Sequence, residues 1–307
     1  MSSREALWAR RALALVALVA VWEWFMASRA YKTLAGPEDW QQVRAHLEAS
    51  DASAGPVMLA ESWMQPRARM ELAAVRGWES VAPPDLHDQP RYRVLSLSGQ
   101  LDGPELREDL LGLPAAGVIE AQHPLGSWTL FELRSPGASR RLGPANLLAA
   151  PETVTDDRGR CRRQGNGFKC KRGRVAQQTV EVGFRPRRCV GLQVQDQSTV
   201  TFSLPKVELG DRLRGHVGFG DFNARLRSDA AVVLEIRIDG RAPAGAAMFT
   251  DEQGWAAFEL ATPPGSHSLD VRVEVGAMGG WNDAGYDPRM RHLPCIELRA
   301  LAPQGER

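Results

Sequence analysis

Apolar residues fall into three regimes along this chain: one unbroken run near the start, alternating helix-like and strand-like segments to about residue 134, and period-two alternation from about residue 174. The first regime is residues 12–22, wholly apolar and preceded by Arg4, Arg10 and Arg11. Basic residues before an apolar run hold that end in the cytoplasm and direct the downstream chain across the membrane. Glu23 interrupts the run before Trp24-Phe25-Met26-Ala27, so Ala12 to Ala27 counts 16 residues. That is just short of the ~17–25 of a spanning helix. The expectation is a cytoplasmic tip and uncleaved signal anchor over residues 1–30, giving a single-pass inner-membrane protein with its bulk in the periplasm. A cleaved signal, with Ser28-Arg29-Ala30 as a poor cleavage site, and a buried soluble helix are the competing readings.

Residues 31–134 alternate between the two periods and predict a small α/β domain. A helix is expected over 31–50, where Pro37-Glu38-Asp39 opens a segment with Trp40, Val43 and Leu47 at helical spacing. Further helices are expected at 66–77 and 103–111. Strands are expected at 56–60, 92–97, 117–121 and 128–133. Parallel pairing is one option for them, but no Gly-rich phosphate turn follows the first strand, so a dinucleotide site is not expected.

Residues 135–173, rich in Pro, Gly and polar side chains, read as a linker carrying a disulfide loop. Beyond them Val175–Phe184, Cys189–Val194, Thr199–Leu204, Leu213–Phe219, Val232–Ile238, Trp255–Leu260, Ser268–Val275 and Cys295–Leu301 are strand-like, with turn residues such as Asp239-Gly240 between them. Such spacing predicts an antiparallel β-sandwich of jelly-roll type over 174–302, with 303–307 as a tail. The fold class expected is therefore α+β multidomain: a membrane helix, a small α/β domain and a C-terminal sandwich.

Charge adds little at the level of the whole chain, since 38 basic residues balance 37 acidic ones. That balance excludes a dedicated nucleic-acid binder. Its distribution matters more. Residues 158–174 hold Arg158, Arg160, Arg162, Arg163, Lys169, Lys171, Arg172 and Arg174 and no acid. Such a run is a solvated loop or a contact for anionic lipid or polymer. The four cysteines, Cys161, Cys170, Cys189 and Cys295, are an even number in a region expected to be exported, which reads as disulfides. Three pairings exist. The favoured one joins Cys161 to Cys170 and Cys189 to Cys295. No CxxC pair supports a zinc site.

Catalytic motifs are not found: the chain carries no Walker loop, HExxH, GxSxG or EF-hand loop. His46, His87, His123, His216, His267 and His292 are scattered, so each reads as structural or solvated, and no cofactor or metal is expected. Asp221, Asp229, Asp283 and Asp287 include no pair that spacing selects as a glycosidase dyad. The most suggestive surface element is the run Gly279-Gly280-Trp281-Asn282-Asp283-Ala284-Gly285-Tyr286-Asp287. Exposed Trp and Tyr stack on sugar rings while amide and carboxylate groups bond hydroxyls. Trp281, Asn282, Asp283, Tyr286 and Arg289 are accordingly the candidate ligand-binding residues. Packing of Trp281 over the sandwich end is the structural alternative.

The second half resembles the soluble extracytoplasmic β-domain of bacterial membrane proteins related to family-39 glycosyltransferases, the mannosyltransferase and aminoarabinose-transferase type. The residues that carry the resemblance are Cys161…Cys170, Arg188-Cys189, the run Leu213-Arg214-Gly215-His216-Val217-Gly218-Phe219-Gly220-Asp221, Gly254-Trp255-Ala256-Ala257-Phe258 and Cys295. Trp40…Leu47 and Val57–Trp63 resemble the small α/β segment before that domain. The family's chemistry resides in a multi-span membrane region that this chain does not have, so no catalytic residue carries over. The resemblance implies an envelope-exposed accessory module. The functional expectation is a membrane-anchored, noncatalytic recognition sandwich that contacts an envelope glycan or a protein partner. The alternatives are a polysaccharide-processing enzyme and an assembly subunit with no small ligand.

Overall fold

The computed structural model describes residues 15–25, 35–50, 55–75, 78, 81–97, 99, 117–135, 138–183, 185–195, 197–219, 231–250, 254–276 and 294–304. Residues 15–25 are helical (α1), and every one of them is exposed, Leu18 and Trp24 most among its large apolar side chains. The eleven described residues of this helix rise about 16 Å. No helix among the described residues is long and apolar enough to cross a membrane.

The α/β layer is built from α2 (Pro37–Ala49), α3 (Gln65–Glu71) and a four-stranded sheet ordered β1 (Val57–Leu59), β2 (Arg91–Ser96), β4 (Trp128–Arg134), β3 (Val118–Leu125). Only β1 and β2 run parallel; β2–β4 and β3–β4 are antiparallel. The parallel arrangement considered from sequence is thus confined to one pair. Its cause is local, because Gly126 and Ser127 close β3–β4 as a two-residue hairpin turn, with Gly126 at φ +66°. Asp39 accepts from Gly36 N at α2's start and from Ser127 N and Oγ, tying the helix to that turn. Trp40, Val43 and Leu47 then face Leu95, Trp128 and Leu130, with the Trp40 and Trp128 rings 4.8 Å apart. The helix expected at 103–111 lies outside the described residues.

The remaining strands form two packed sheets. One is ordered β16 (Trp255–Ala261), β13 (Arg212–Phe219), β18 (Pro294–Pro303), β11 (Arg185–Val194), β10 (Gly173–Val182), β9 (Gly167–Cys170), β8 (Arg162–Gln164), with β5 (Ser139–Leu142) on β18. The other is ordered β15 (Gly245–Phe249), β14 (Val232–Ile238), β17 (Gly265–Val275), β12 (Ser198–Leu209), β6 (Thr153–Asp156), β7 (Gly159–Arg160). Apolar residues at every second position meet between them: Leu213 and Val217, Ile296 and Leu298, Val200 and Phe202, Val271 and Val273. The sandwich expected from the alternation is present.

The segment 139–170, whose composition reads as a linker, instead supplies five strands to the two sheets. Both disulfides have the expected pairing. Cys161–Cys170 sits where the chain leaves β7 in one sheet for β8 in the other, and Cys189–Cys295 bridges β11 and β18.

Candidate functional site

Two places concentrate polar chemistry, and they differ in access. The first is the outer face of the larger sheet. On β13, β18 and β11 the positions between core residues carry Arg214 and His216, Glu297 and Arg299, and Arg185 and Arg187. The segment 81–90 of the α/β layer lies over them. Asp85 Oδ1 is 2.7 Å from Arg299 Nη2, and its Oδ2 accepts from Arg214 Nε. His216 Nε2 lies 3.4 Å from Asp85 and its Nδ1 lies 3.1 Å from Glu297. Arg299 also pairs with Glu297 at 2.7 Å and Asp88 at 3.2 Å. The Trp255 ring stacks on His216 at 5.4 Å, and Arg187 lies over that ring while donating to the Pro83 and Pro84 carbonyls.

Burial alone would raise the Asp85 carboxyl, but Arg299, His216 and Arg214 hold it well below the usual carboxylate range. Burial lowers His216 despite its bond to Glu297, and burial is outweighed at Arg299 by Glu297, Asp85 and Asp88, which raise it. These residue types are those of an acid–base site. Yet the side chains of Asp85, His216, Arg299 and Glu297 are only 3%, 3%, 1% and 2% exposed. The network is a clamp between the α/β layer and the sandwich.

The second place is exposed. Short connections fix which strand ends lie together: 195–197 join β11 to β12, and 210–211 join β12 to β13. Val194, Ser198 and Phe219 therefore share one end of the sandwich. Gly173 pairs with Val194, Val275 with Ser198, and Pro294 with Phe219, so these belong to that end as well. The basic turns thus lie beside the strand ends that bound residues 277–293.

Asp156 organises these turns, accepting from Arg158 N at 2.9 Å and Arg172 N at 3.0 Å. The disulfide closes the β8–β9 hairpin next to them. Of the eight cations in 158–174, only Arg172 is in an ion pair among the described residues, with Asp157 at 3.1 Å. All but Arg172 are exposed.

Two depressions flank this basic segment. An open groove of about 450 Å³ runs along the sandwich edge, lined by Glu152, Thr153, Arg160, Arg162, Arg163 and Phe168, with Arg163 5.1 Å over the Phe168 ring. A smaller trough of about 190 Å³ lies on the outer face of β10 and β11. Ala176 and Gly191 floor it; Asn166, Arg174, Gln178 and Gln193 wall it. A side chain at Gly191 would strike the Gln178 amide, so glycine there keeps the trough open. Amides and a guanidinium around a small-residue floor can bond hydroxyls and carboxylates.

Trp281, Asn282, Asp283, Tyr286 and Arg289 lie outside the described residues, as do Asp221, Asp229 and Asp287. The basic segment lies at the end of the sandwich that holds Val275 and Pro294. Sequence reasoning missed the clamp, whose partners are 129 residues apart for Asp85 and Arg214. The readable signal was charge at every second position of β13 and β18 within otherwise apolar strands.

No protein-family model matches the chain, and no curated protein matches it. Among solved structures, it is similar to the CBM51-2 and INT domains of Clostridium perfringens ZmpB, solved in complex with GlcNAc. The TM-score there is 0.31 at 12% identity, over 53% of this chain and 32% of that one. It is also similar to the CBM51 of a Clostridium perfringens GH95 protein in complex with methyl-galactose (TM-score 0.25, 13% identity, 60% and 94% covered). A third is the CBM22-1 xylan-binding domain of Paenibacillus barcinonensis Xyn10C (TM-score 0.29, 13% identity, 56% and 100% covered).

Proposed function

We infer the function from this chain's own residues, because the chain spans about a third of the first of those structures and the TM-scores and identities are low. We propose that it is a noncatalytic cell-envelope recognition protein whose β-sandwich binds an anionic glycan at its basic end. The observation that carries this reading is the rim of eight cations, one of them ion-paired, held by Asp156 and Cys161–Cys170 beside the strand ends Val275 and Pro294. Unpaired, fixed cations attract an anionic polymer without first breaking internal pairs. Trp281 and Tyr286 would supply stacking faces, Asn282 and Asp283 hydroxyl partners, and Arg289 a partner for an acidic sugar. The noncatalytic part of the proposal is supported by the sealing of the Asp85–His216–Glu297 cluster.

The apolar, fully exposed α1 and the arginines before it support anchoring in the inner membrane, with the sandwich in the periplasm. The envelope-module resemblance to family-39 transferase-related domains belongs to the same proposal. N-terminal sequencing of the mature protein tests the anchor; a chain beginning at Tyr31 would contradict it. Retention on immobilised acidic polysaccharide tests the site. Trp281→Ala should abolish retention with the thermal midpoint almost unchanged. A large fall in the midpoint would mean that Trp281 is a core residue, because truncating one costs ~3–5 kcal/mol.

A further inference from the structure

Away from the sandwich, the fold assembles a group that no spacing in the chain announces. His46 lies in the last turn of α2, and His123 and Glu132 lie on the paired strands β3 and β4 beneath it. One potential ligand atom from each lies within 4.8 Å of the others. The two imidazole rings are 4.5 Å apart, and His123 Nε2 is 3.5 Å from Glu132 Oε1. We propose that His46, His123 and Glu132 bind a divalent transition-metal ion of the Zn²⁺ class, independently of the glycan reading.

Two observations carry the proposal. First, the donor set is two imidazoles and a carboxylate, which Zn²⁺ accepts at about 2.0–2.2 Å. Bonds of that length in a tetrahedron put ligand atoms roughly 3.4 Å apart. The His123–Glu132 spacing of 3.5 Å already matches. Second, His123 Nε2 is out of solvent contact and makes no hydrogen bond, so the nitrogen that faces Glu132 has no other acceptor or donor to satisfy it.

His123 and Glu132 are each about one-third exposed, which leaves an entry path and room for water as a fourth ligand. Arg93, paired in register with Glu132, is the cation that opposes the ion. Its charge reduces affinity and leaves the donor set intact.

The test uses the full-length, tag-free chain stripped with chelator and titrated with Zn²⁺, and with Co²⁺ as a spectroscopic probe. The expected result is one high-affinity ion per chain, tetrahedral-type Co²⁺ absorption and a raised midpoint. His46→Asn, His123→Asn and Glu132→Gln should each weaken binding at least about tenfold. Zn²⁺ should also protect His46 and His123 of the unsubstituted protein from diethyl pyrocarbonate, a readout that needs no variant to fold. The proposal is overturned if no stoichiometric ion binds. It also fails if the three substitutions leave affinity unchanged, which would place the ion elsewhere, or if the two histidines are modified equally with and without Zn²⁺.

Discussion

Replacing Arg299 by Met strands charge inside the clamp, and its cost can be worked from the contacts. The Arg299 side chain is 1% exposed and lies 2.7 Å from both Asp85 and Glu297 and 3.2 Å from Asp88. Without it, among the described residues, Asp85 keeps Arg214 and His216, Asp88 keeps the half-exposed Arg141, and Glu297 keeps His216 at 3.1 Å as its one ion-pair partner. Breaking a buried pair by deleting one partner costs about 3–5 kcal/mol, mostly because the surviving charge is uncompensated. At about 2–4 °C per kcal/mol for a protein of this size, the midpoint should fall by roughly 6–20 °C. Differential scanning calorimetry at pH 7 measures this directly. Adding Asp85→Asn and Glu297→Gln to Arg299→Met should recover much of the loss, because the stranded carboxylates are then neutral. A fall below about 3 °C for the single variant, or no recovery in the triple one, would refute a clamp built on buried charge.

Removing Cys189–Cys295 should destabilise more than removing Cys161–Cys170, because the sequence separations are 106 and 9. Chain entropy assigns about 4.7 against about 2.7 kcal/mol, which urea titration of the two Cys→Ala pairs would resolve. His216 is held below its ordinary pKa by burial, so the unfolded chain binds the extra proton first and the native state loses stability as pH falls below about 6.5. His46 contributes with the same sign, and His267, raised by Asp239, with the opposite sign. The midpoint should therefore drop between pH 7 and pH 5, and His216→Gln should flatten that slope; an unchanged slope would contradict the assignment. Gly210→Ala should unfold or severely destabilise the protein, since the added carbon would sit 1.9 Å from the Leu301 carbonyl oxygen, a backbone atom that cannot swing away.

The elements legible in the sequence were those whose faces differ. Val232–Ile238 and Ser268–Val275 alternate cleanly because one face meets the opposing sheet. The strands that escaped notice are short and polar: Arg162–Gln164 is exposed along its whole length. That is how an edge strand resists pairing with another chain, and it removes the apolar signal. β15, Gly245–Phe249, escaped because glycine and alanine fill three of its five positions. The cysteine pairing was legible because Cys161 and Cys170 close a short Gly-containing loop, leaving Cys189 and Cys295 to tie an early strand of the sandwich to its last one. The basic segment was visible as charge, but its place at the end bounded by Val275 and Pro294 follows from topology alone. His46 and His123 could not be associated from spacing, since their meeting depends on α2 docking onto the sheet.

The central claim is that the basic end of the sandwich binds an anionic glycan, and salt-dependent retention tests it most directly. Arg158, Arg162 and Lys169 are exposed and in no ion pair among the described residues, so changing all three to Gln should leave the midpoint within a few degrees. Raising salt from about 0.1 to about 1 M shortens the screening length from roughly 10 to 3 Å. The full-length protein should be retained on acidic polysaccharide more strongly than on a neutral one of similar linkage. Salt should weaken that retention, and the triple variant should show both weaker retention and a shallower salt dependence. Equal retention on neutral and acidic polymers, or a triple variant that binds like the parent at low salt, would contradict the account.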